Sequence, residues 1–314
     1  MQTVDVHQHL LSEPLIAELA RRRQAPALVR HRDGWTFRVG GEPDSLLSFE
    51  AINVSLRAVE LRRHGIDRAL VSLSSALGIE TLPTEEAMPL LEAHHLGIEE
   101  LPVRFDGWGA VGLDEPWAAD VDAVLARGCV GVSLPAPTLA NPDELERVSP
   151  LLARLEEHDA PLFIHPGPVA PAGAEGNGAA ASLPPWWPAL TDYVAQMQAA
   201  WFTFLHVGRY AHPRLRVLFA MLAGGAPLQL ERYAARSGST AAAPDPLVFY
   251  DTSSYGPRML RAMIDAVGAP QLVYGSDRPV VDPHTPQTHT EFGRALLSTN
   301  AHRLLTPQPT GVLA

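Results

Sequence analysis

The sequence predicts an α/β protein, specifically a (β/α)8 TIM barrel, and three observations carry that expectation. Short apolar runs alternate with helical patterns along most of the chain. Counting the first strand, the rhythm makes eight strand–helix units, which imply a parallel sheet closed into a barrel. Residues of metal-ligand type stand at three strand ends, where barrels of this class carry their sites. At 314 residues the chain suits one barrel of about 250 residues with insertions, so a single domain over 1–314 is expected. A doubly wound open sheet is the competing arrangement. No Gly-x-Gly-x-x-Gly follows the first strand, which disfavours a dinucleotide fold.

The first strand lies in Asp5-Val6-His7-Gln8-His9, where Val4 and Val6 alternate with polar neighbours. Side chains alternate faces along a strand, so His7 and His9 point to one side and make half of a metal site. A helical pattern runs from Pro14 to Arg23. Next, Leu28 to Val39 reads as a hairpin turned at Asp33-Gly34. Helix and hairpin together (11–50) look like an insertion over the barrel mouth, where such loops carry specificity. Leu46 to Gly65 reads as the connecting helix.

The later apolar runs are Arg68 to Leu73, Val103 to Leu113, Val130 to Leu134, Pro161 to His165, Leu215 to Leu222, Leu247 to Thr252 and Leu272 to Gly275. Helical patterns cover Glu85 to Glu99, Pro116 to Arg127, Asn141 to His158, Ala189 to Ala211, Gln229 to Arg236 and Pro257 to Val267. Two loops interrupt the rhythm. Pro166 to Pro188, after the fifth strand, is rich in Pro, Gly and Ala and ends in Trp186-Trp187, which suggests a lid closing over something apolar or planar. Ser237 to Asp245 reads as a linker without functional content.

Composition removes several function classes. A net charge of −11 with no long run of like charge argues against nucleic acid or an anionic membrane as partner; a small-molecule substrate is expected. The basic cluster of Arg21, Arg22 and Arg23 with Arg30, His31 and Arg32 reads as a solvated helix side and its exit. The chain has no lysine, which rules out a P-loop, a Schiff base, a pyridoxal anchor and a carboxylated lysine bridging two metals. Its one cysteine, Cys129, permits neither an intramolecular disulfide nor a cysteine-based zinc cluster and reads as a buried inert thiol. Without a basic, then apolar, leading segment or a long apolar stretch, a cytoplasmic location is expected.

His7 and His9 on the first strand, His165 ending the fifth and Asp277 ending the eighth form the chemical constellation. Three neutral imidazoles and one carboxylate suit one divalent metal, zinc first, with a position left open for water or substrate.

With those residues in view, the chain resembles the amidohydrolase superfamily, in its amidohydrolase-2 branch, which includes aminocarboxymuconate-semialdehyde decarboxylase and related aromatic-acid decarboxylases. The resemblance rests on Asp5-Val6-His7-Gln8-His9, Phe163-Ile164-His165-Pro166-Gly167, His212-Pro213-Arg214-Leu215-Arg216-Val217 leading to Gly224-Gly225, and Tyr274-Gly275-Ser276-Asp277. It implies a metal-dependent (β/α)8 barrel, usually with one divalent metal held by His7, His9, His165 and Asp277. It also implies a lid tryptophan assisting the substrate, a place matched by Trp186 or Trp187, and an arginine from the insertion pairing a substrate carboxylate, for which Arg38 is nearest. Barrels of the branch are often dimers, which implies a homodimer.

One departure stands out. The branch ends its sixth strand with a histidine that polarises metal-bound water or shuttles a proton; here the place is taken by Met221, whose thioether takes no proton at neutral pH. His206, on the preceding helix, is the candidate substitute. Of the other histidines, His64, His94, His95 and His158 sit late in helices, where a cation suits the dipole; His31, His284 and His289 border the mouth. The leading functional expectation is a hydrolase in which the metal activates water and Asp277 orients it, takes its proton and passes it to the leaving group. The alternative is a non-oxidative decarboxylase of an aromatic or unsaturated acid. The third is a degenerate barrel that binds without turnover, against which stands the retention of a costly polar cluster at strand ends.

Overall fold

A computed structural model describes residues 1–32, 34–40, 44–169, 184, 186–238, 244–281, 286 and 289–307. In chain order the strands are β1 (Val4–Gln8), the inserted β2 (Ala27–His31), β3 (Gly34–Arg38) and β4 (Ser45–Leu46), then β5 (Arg68–Val71), β6 (Phe105–Gly107), β7 (Val132–Pro135), β8 (Leu162–His165), β9 (Val217–Phe219), β10 (Val248–Asp251) and β11 (Leu272–Val273). The eight strands outside the insertion are all parallel and fall in the expected runs, in two ladders ordered β1-β5-β6 and β11-β10-β9-β8-β7. The ladders are not continuous round the ring. At one seam, Val6 N–H donates to Tyr274 O at 2.9 Å and Asp277 N–H to His7 O at 2.9 Å; at the other, Gly109 N–H donates to Gly131 O at 2.9 Å and Ser133 N–H to Gly109 O at 2.8 Å.

The strands are shorter than the apolar runs that announced them, because the backbone beyond β6 finds other partners. Ala110 N–H donates to the His95 imidazole at 3.1 Å and Leu113 N–H to the Glu80 carbonyl at 2.7 Å. Helices Thr84–Glu99, Pro142–Glu157 and Pro257–Val267 match the sequence patterns closely. The long pattern ending at Ala211 is instead broken: Asp192–Thr203 is α-helical and Phe204–Gly208 widens into a π turn. A final helical stretch, Glu291–Arg294 to Asn300–Leu305, was not anticipated.

One core fills the ring and its helical coat, with Trp108 and Phe163 fully buried. Trp108 Nε1–H donates to Val6 O at 2.9 Å, which satisfies its polar atom inside the barrel. A second cluster joins the insertion to the ring: Leu15, Leu19 and Leu28 pack with Leu73, Leu77 and Ala110, beyond the ends of β5 and β6. The hairpin forms as expected, pairing His31 with Gly34 and Ala27 with Arg38; its turn residue Asp33 lies outside the described residues. No helix among the described residues is long and apolar enough to cross a membrane.

Two sequence expectations change here. His94 and His95 are not helix-end cations. Burial holds His94 down at about 3 and His95 at about 4, and His94 Nε2 meets the Trp108 carbonyl at 3.2 Å. The Ser237–Asp245 stretch is also not idle, since Asp245 pairs with Arg209 at 2.6 Å and its other oxygen accepts from Leu247 N–H at 2.9 Å. Cys129 is buried as expected, and burial pushes its thiol up to about 12.

Candidate metal centre

The ends of β1, β8 and β11 converge on one point. One donor atom each from His7, His9, His165 and Asp277 lies within 4.8 Å of all the others. His7 Nε2 stands 3.1 Å from His9 Nε2, while Asp277 Oδ1 is 3.2 Å from His9 Nε2 and 3.6 Å from His7 Nε2. The three histidines are buried; Asp277 is half-buried at the rim, its backbone in the left-handed region at φ 57°.

Each imidazole is tied at its other nitrogen. His7 Nδ1 meets Asp251 Oδ2 at 2.7 Å, His9 Nδ1 meets Ser72 O at 3.1 Å and His165 Nδ1 meets Pro166 O at 2.8 Å. All three partners are acceptors, so in the neutral rings the proton sits on Nδ1 and the Nε2 lone pairs face inward. Two lone pairs 3.1 Å apart repel unless something positive lies between them. Donors around a zinc-sized ion stand roughly 3.3 Å apart in a tetrahedral shell, close to the spacings found. The residues present therefore fit a single divalent cation.

The charge balance points the same way. Burial alone would depress His7, but the Asp251 carboxylate, together with Asp277 and Asp5, outweighs it and leaves the imidazole raised. Burial, with the facing His9 and His7 rings, holds His165 well below the usual range. His165 is thus a neutral donor at any ordinary pH.

Asp251 is the residue that the sequence reading missed. It ends β10 with no exposure, and besides His7 its carboxylate accepts from Met221 N–H at 2.9 Å and Ser253 N–H at 3.0 Å. The available signal was a carboxylate closing the apolar run Leu247-Val248-Phe249-Tyr250, as Asp277 closes another. Asp5 serves the frame in a similar way. Its Oδ1 accepts from His7 N–H at 3.2 Å and Ser276 N–H at 3.0 Å, holding strand one to the turn that carries Asp277. Gly275 completes the fit, since a Cβ there would stand 2.8 Å from Asp251 Cβ and 2.9 Å from His7 Cβ.

The remaining sequence candidates are not at the cluster. His206 is corrected: it lies exposed on the π turn of the outer helix, its ring 5.0 Å from that of Tyr233, and so it does not replace the strand-six histidine. Met221 opens a run of left-handed backbone, Met221 to Gly225, with φ of 43, 52, 53, 60 and 72°. Its contribution to the centre is a backbone N–H to Asp251. Arg38, exposed at the end of β3, pairs with Asp44 at 3.4 Å. Trp186 and Trp187 are exposed, with ring centroids 5.9 Å apart; the lid before them, residues 170–183 and 185, lies outside the described residues, as does His284.

A parallel α/β barrel with three imidazoles and one carboxylate converging at the carboxyl ends of its strands defines a metal-dependent enzyme class. The particular family follows: residues 4–306 match the amidohydrolase family model, and the chain belongs to that family. No curated protein matches the sequence. Among solved structures it is similar to Metarhizium anisopliae IDCase in its apo form (TM-score 0.76, 19% identity, 97% of each chain covered). It is also similar to 2,6-dihydroxybenzoate decarboxylase from Rhizobium (TM-score 0.70, 17% identity, 97% of this chain and 99% of that one). A third is 5-carboxyvanillate decarboxylase from Sphingomonas paucimobilis (TM-score 0.72, 16% identity, 98% and 99%). A related decarboxylase structure from Novosphingobium aromaticivorans holds manganese and a nitrobenzoic acid (TM-score 0.70, 16% identity, 97% of each chain).

Proposed function

We propose that the protein is a metal-dependent, non-oxidative decarboxylase of a small aromatic carboxylic acid. The observation that carries this reading is the convergent three-histidine, one-aspartate cluster on a barrel whose solved likenesses act on arene carboxylates. The hydrolase that the sequence placed first ranks behind it. Hydrolysis asks for two proton transfers, from water and to the leaving group, and strand six offers a thioether where the branch keeps a histidine. Decarboxylation asks for one proton at one carbon.

His7, His9, His165 and Asp277 would hold the metal, with Asp251 and the Ser72 and Pro166 carbonyls fixing the rings. When bound, the metal supplies a Lewis acid for the substrate's oxygen atoms. Asp277, through the oxygen not facing the imidazoles, delivers a proton to the ring carbon bearing the carboxylate. The bond to that carboxylate then breaks, its electron pair returns to the ring, carbon dioxide leaves and solvent reprotonates Asp277. Trp186, Trp187 and Arg38 stand exposed and away from the cluster and take no part in these steps. In the absence of His206, Asp277 is the proton carrier of this scheme. The ion is a divalent metal, and manganese stands beside zinc as a choice to be tested.

The test is turnover of hydroxylated benzoates, 2,6-dihydroxybenzoate first, by zinc- and manganese-loaded protein in deuterated water. Carbon dioxide release with one deuterium at the vacated ring carbon is expected. Turnover of amides or lactones with solvent oxygen entering the product, and no carbon dioxide from the benzoates, would return the hydrolase reading.

A further inference from the structure

A cavity lies outside the ring, between the ends of β10 and β11 and the helical layer. Its volume is about 560 Å³, within the range that holds small ligands. Its apolar wall is formed by Leu260 and Ile264 of helix Pro257–Val267, Tyr274 after β11, and Phe292 and Leu296 of the final helical stretch. None of His7, His9, His165 and Asp277 lines it. It does back onto the cluster's surroundings: Thr252 follows Asp251, the partner of His7, and Gly275 precedes Asp277 by two residues.

Among the described residues that line the cavity, Arg261 is the one that is charged, and its side chain is exposed. No carboxylate lies within salt-bridge distance of it among the described residues, although the chain carries 35 acidic residues against 24 arginines. Arg127 and Arg278, by contrast, are spent internally, the first on Glu92 and Glu99 and the second on Glu60. Among the described residues, an apolar chamber with one guanidinium, exposed at its rim and without a carboxylate partner, is complementary to an amphiphile with one anionic end. We propose that this cavity binds a small monocarboxylic acid with a compact apolar body, the carboxylate on Arg261 and the body against Leu260, Ile264, Phe292 and Leu296. The site is separate from the metal centre and does not rest on the decarboxylase reading.

Calorimetric titration of the purified protein with 4-tert-butylbenzoate tests it, with neutral 4-tert-butylbenzamide as the comparison ligand. After chelator treatment, which disables the metal centre, one molecule of the acid is still expected to bind per chain, which separates the two sites. Arg261→Met should weaken the acid by about tenfold, the worth of one charge-assisted contact, and leave the amide unchanged. Ile264→Trp, which fills the chamber, should abolish both while metal content stays at the wild-type level. Absence of saturable binding up to about 10 mM, the affinity floor for so small a ligand, would overturn the proposal. Binding that disappears with the metal and ignores Arg261→Met would overturn it equally, and would place the acid at the metal centre.

Discussion

The ends of β8 and β9 lie side by side in the ring, and they serve the candidate metal centre by different means. β8 delivers a side chain: His165 is buried, tied at Nδ1 to Pro166 O at 2.8 Å, and aimed at the other ligands. β9 delivers backbone. After Phe219 the chain turns through five left-handed residues, and the Met221 N–H closes on the Asp251 carboxylate that holds His7. Side-chain function is written into residue identity, whereas backbone function is written into conformation. A resemblance finds the first readily and, at the second, registers only that a histidine is missing.

The largest expected effect breaks the side-chain half of this contrast. His165→Ala or His7→Ala should drop bound metal from about one equivalent to less than a tenth, because a neutral-donor set of three imidazoles loses much of its affinity with any one of them; elemental analysis reads it. Unchanged metal in both variants would remove the ligand assignment. Asp251→Asn comes next. It keeps an acceptor for His7 Nδ1–H but removes the charge, and metal affinity measured by chelator competition should fall about 10- to 100-fold. Met221→Ala should leave that affinity unchanged, since the contact to Asp251 is made by the main chain.

The backbone half can be broken on its own terms. A Cβ at Gly224 would stand 2.8 Å from the Val194 carbonyl oxygen, while at Gly225 it meets nothing nearer than 3.8 Å. Both residues are left-handed, so Gly225→Ala should cost about 1 kcal/mol in denaturant unfolding. Gly224→Ala adds a backbone clash and should cost about 3 kcal/mol. Equal losses would mean that the turn is not held as described.

The smallest effect concerns Glu80, beside the same mouth. Burial pushes its carboxyl up to about 7, and only one oxygen is satisfied, by Ser75 Oγ–H at 2.6 Å. A raised carboxyl binds a proton in the folded state that the unfolded chain releases above about 4.5. Glu80 therefore contributes stability below that pH and loses it as pH rises through 7. Buried His94 and His95 act in the opposite sense, their stability being lost as pH falls below the unfolded value of about 6.5. Glu80→Gln removes the first contribution, so its stability should rise more steeply than that of wild type between about pH 4.5 and 7. Parallel curves would show that Glu80 is ionised in the fold.

The sequence by itself determined the barrel and the candidate ligands at its strand ends. Buried parallel strands must be apolar runs and their connecting helices amphipathic, so Arg68–Val71, Leu162–His165 and their like are visible one at a time. His-x-His on one strand, and His165 and Asp277 closing two others, are local facts of residue type and strand end. Only the tertiary structure decided what supports them. Asp251 reaches His7 across 244 positions, Asp5 reaches Ser276 across 271, and neither pairing leaves a periodicity to read. His206 looked eligible on identity alone and was removed by its place on the outer surface. Local sequence specifies which way a side chain can face; which group it meets there is set by the closing of the ring, and that depends on all eight strands together.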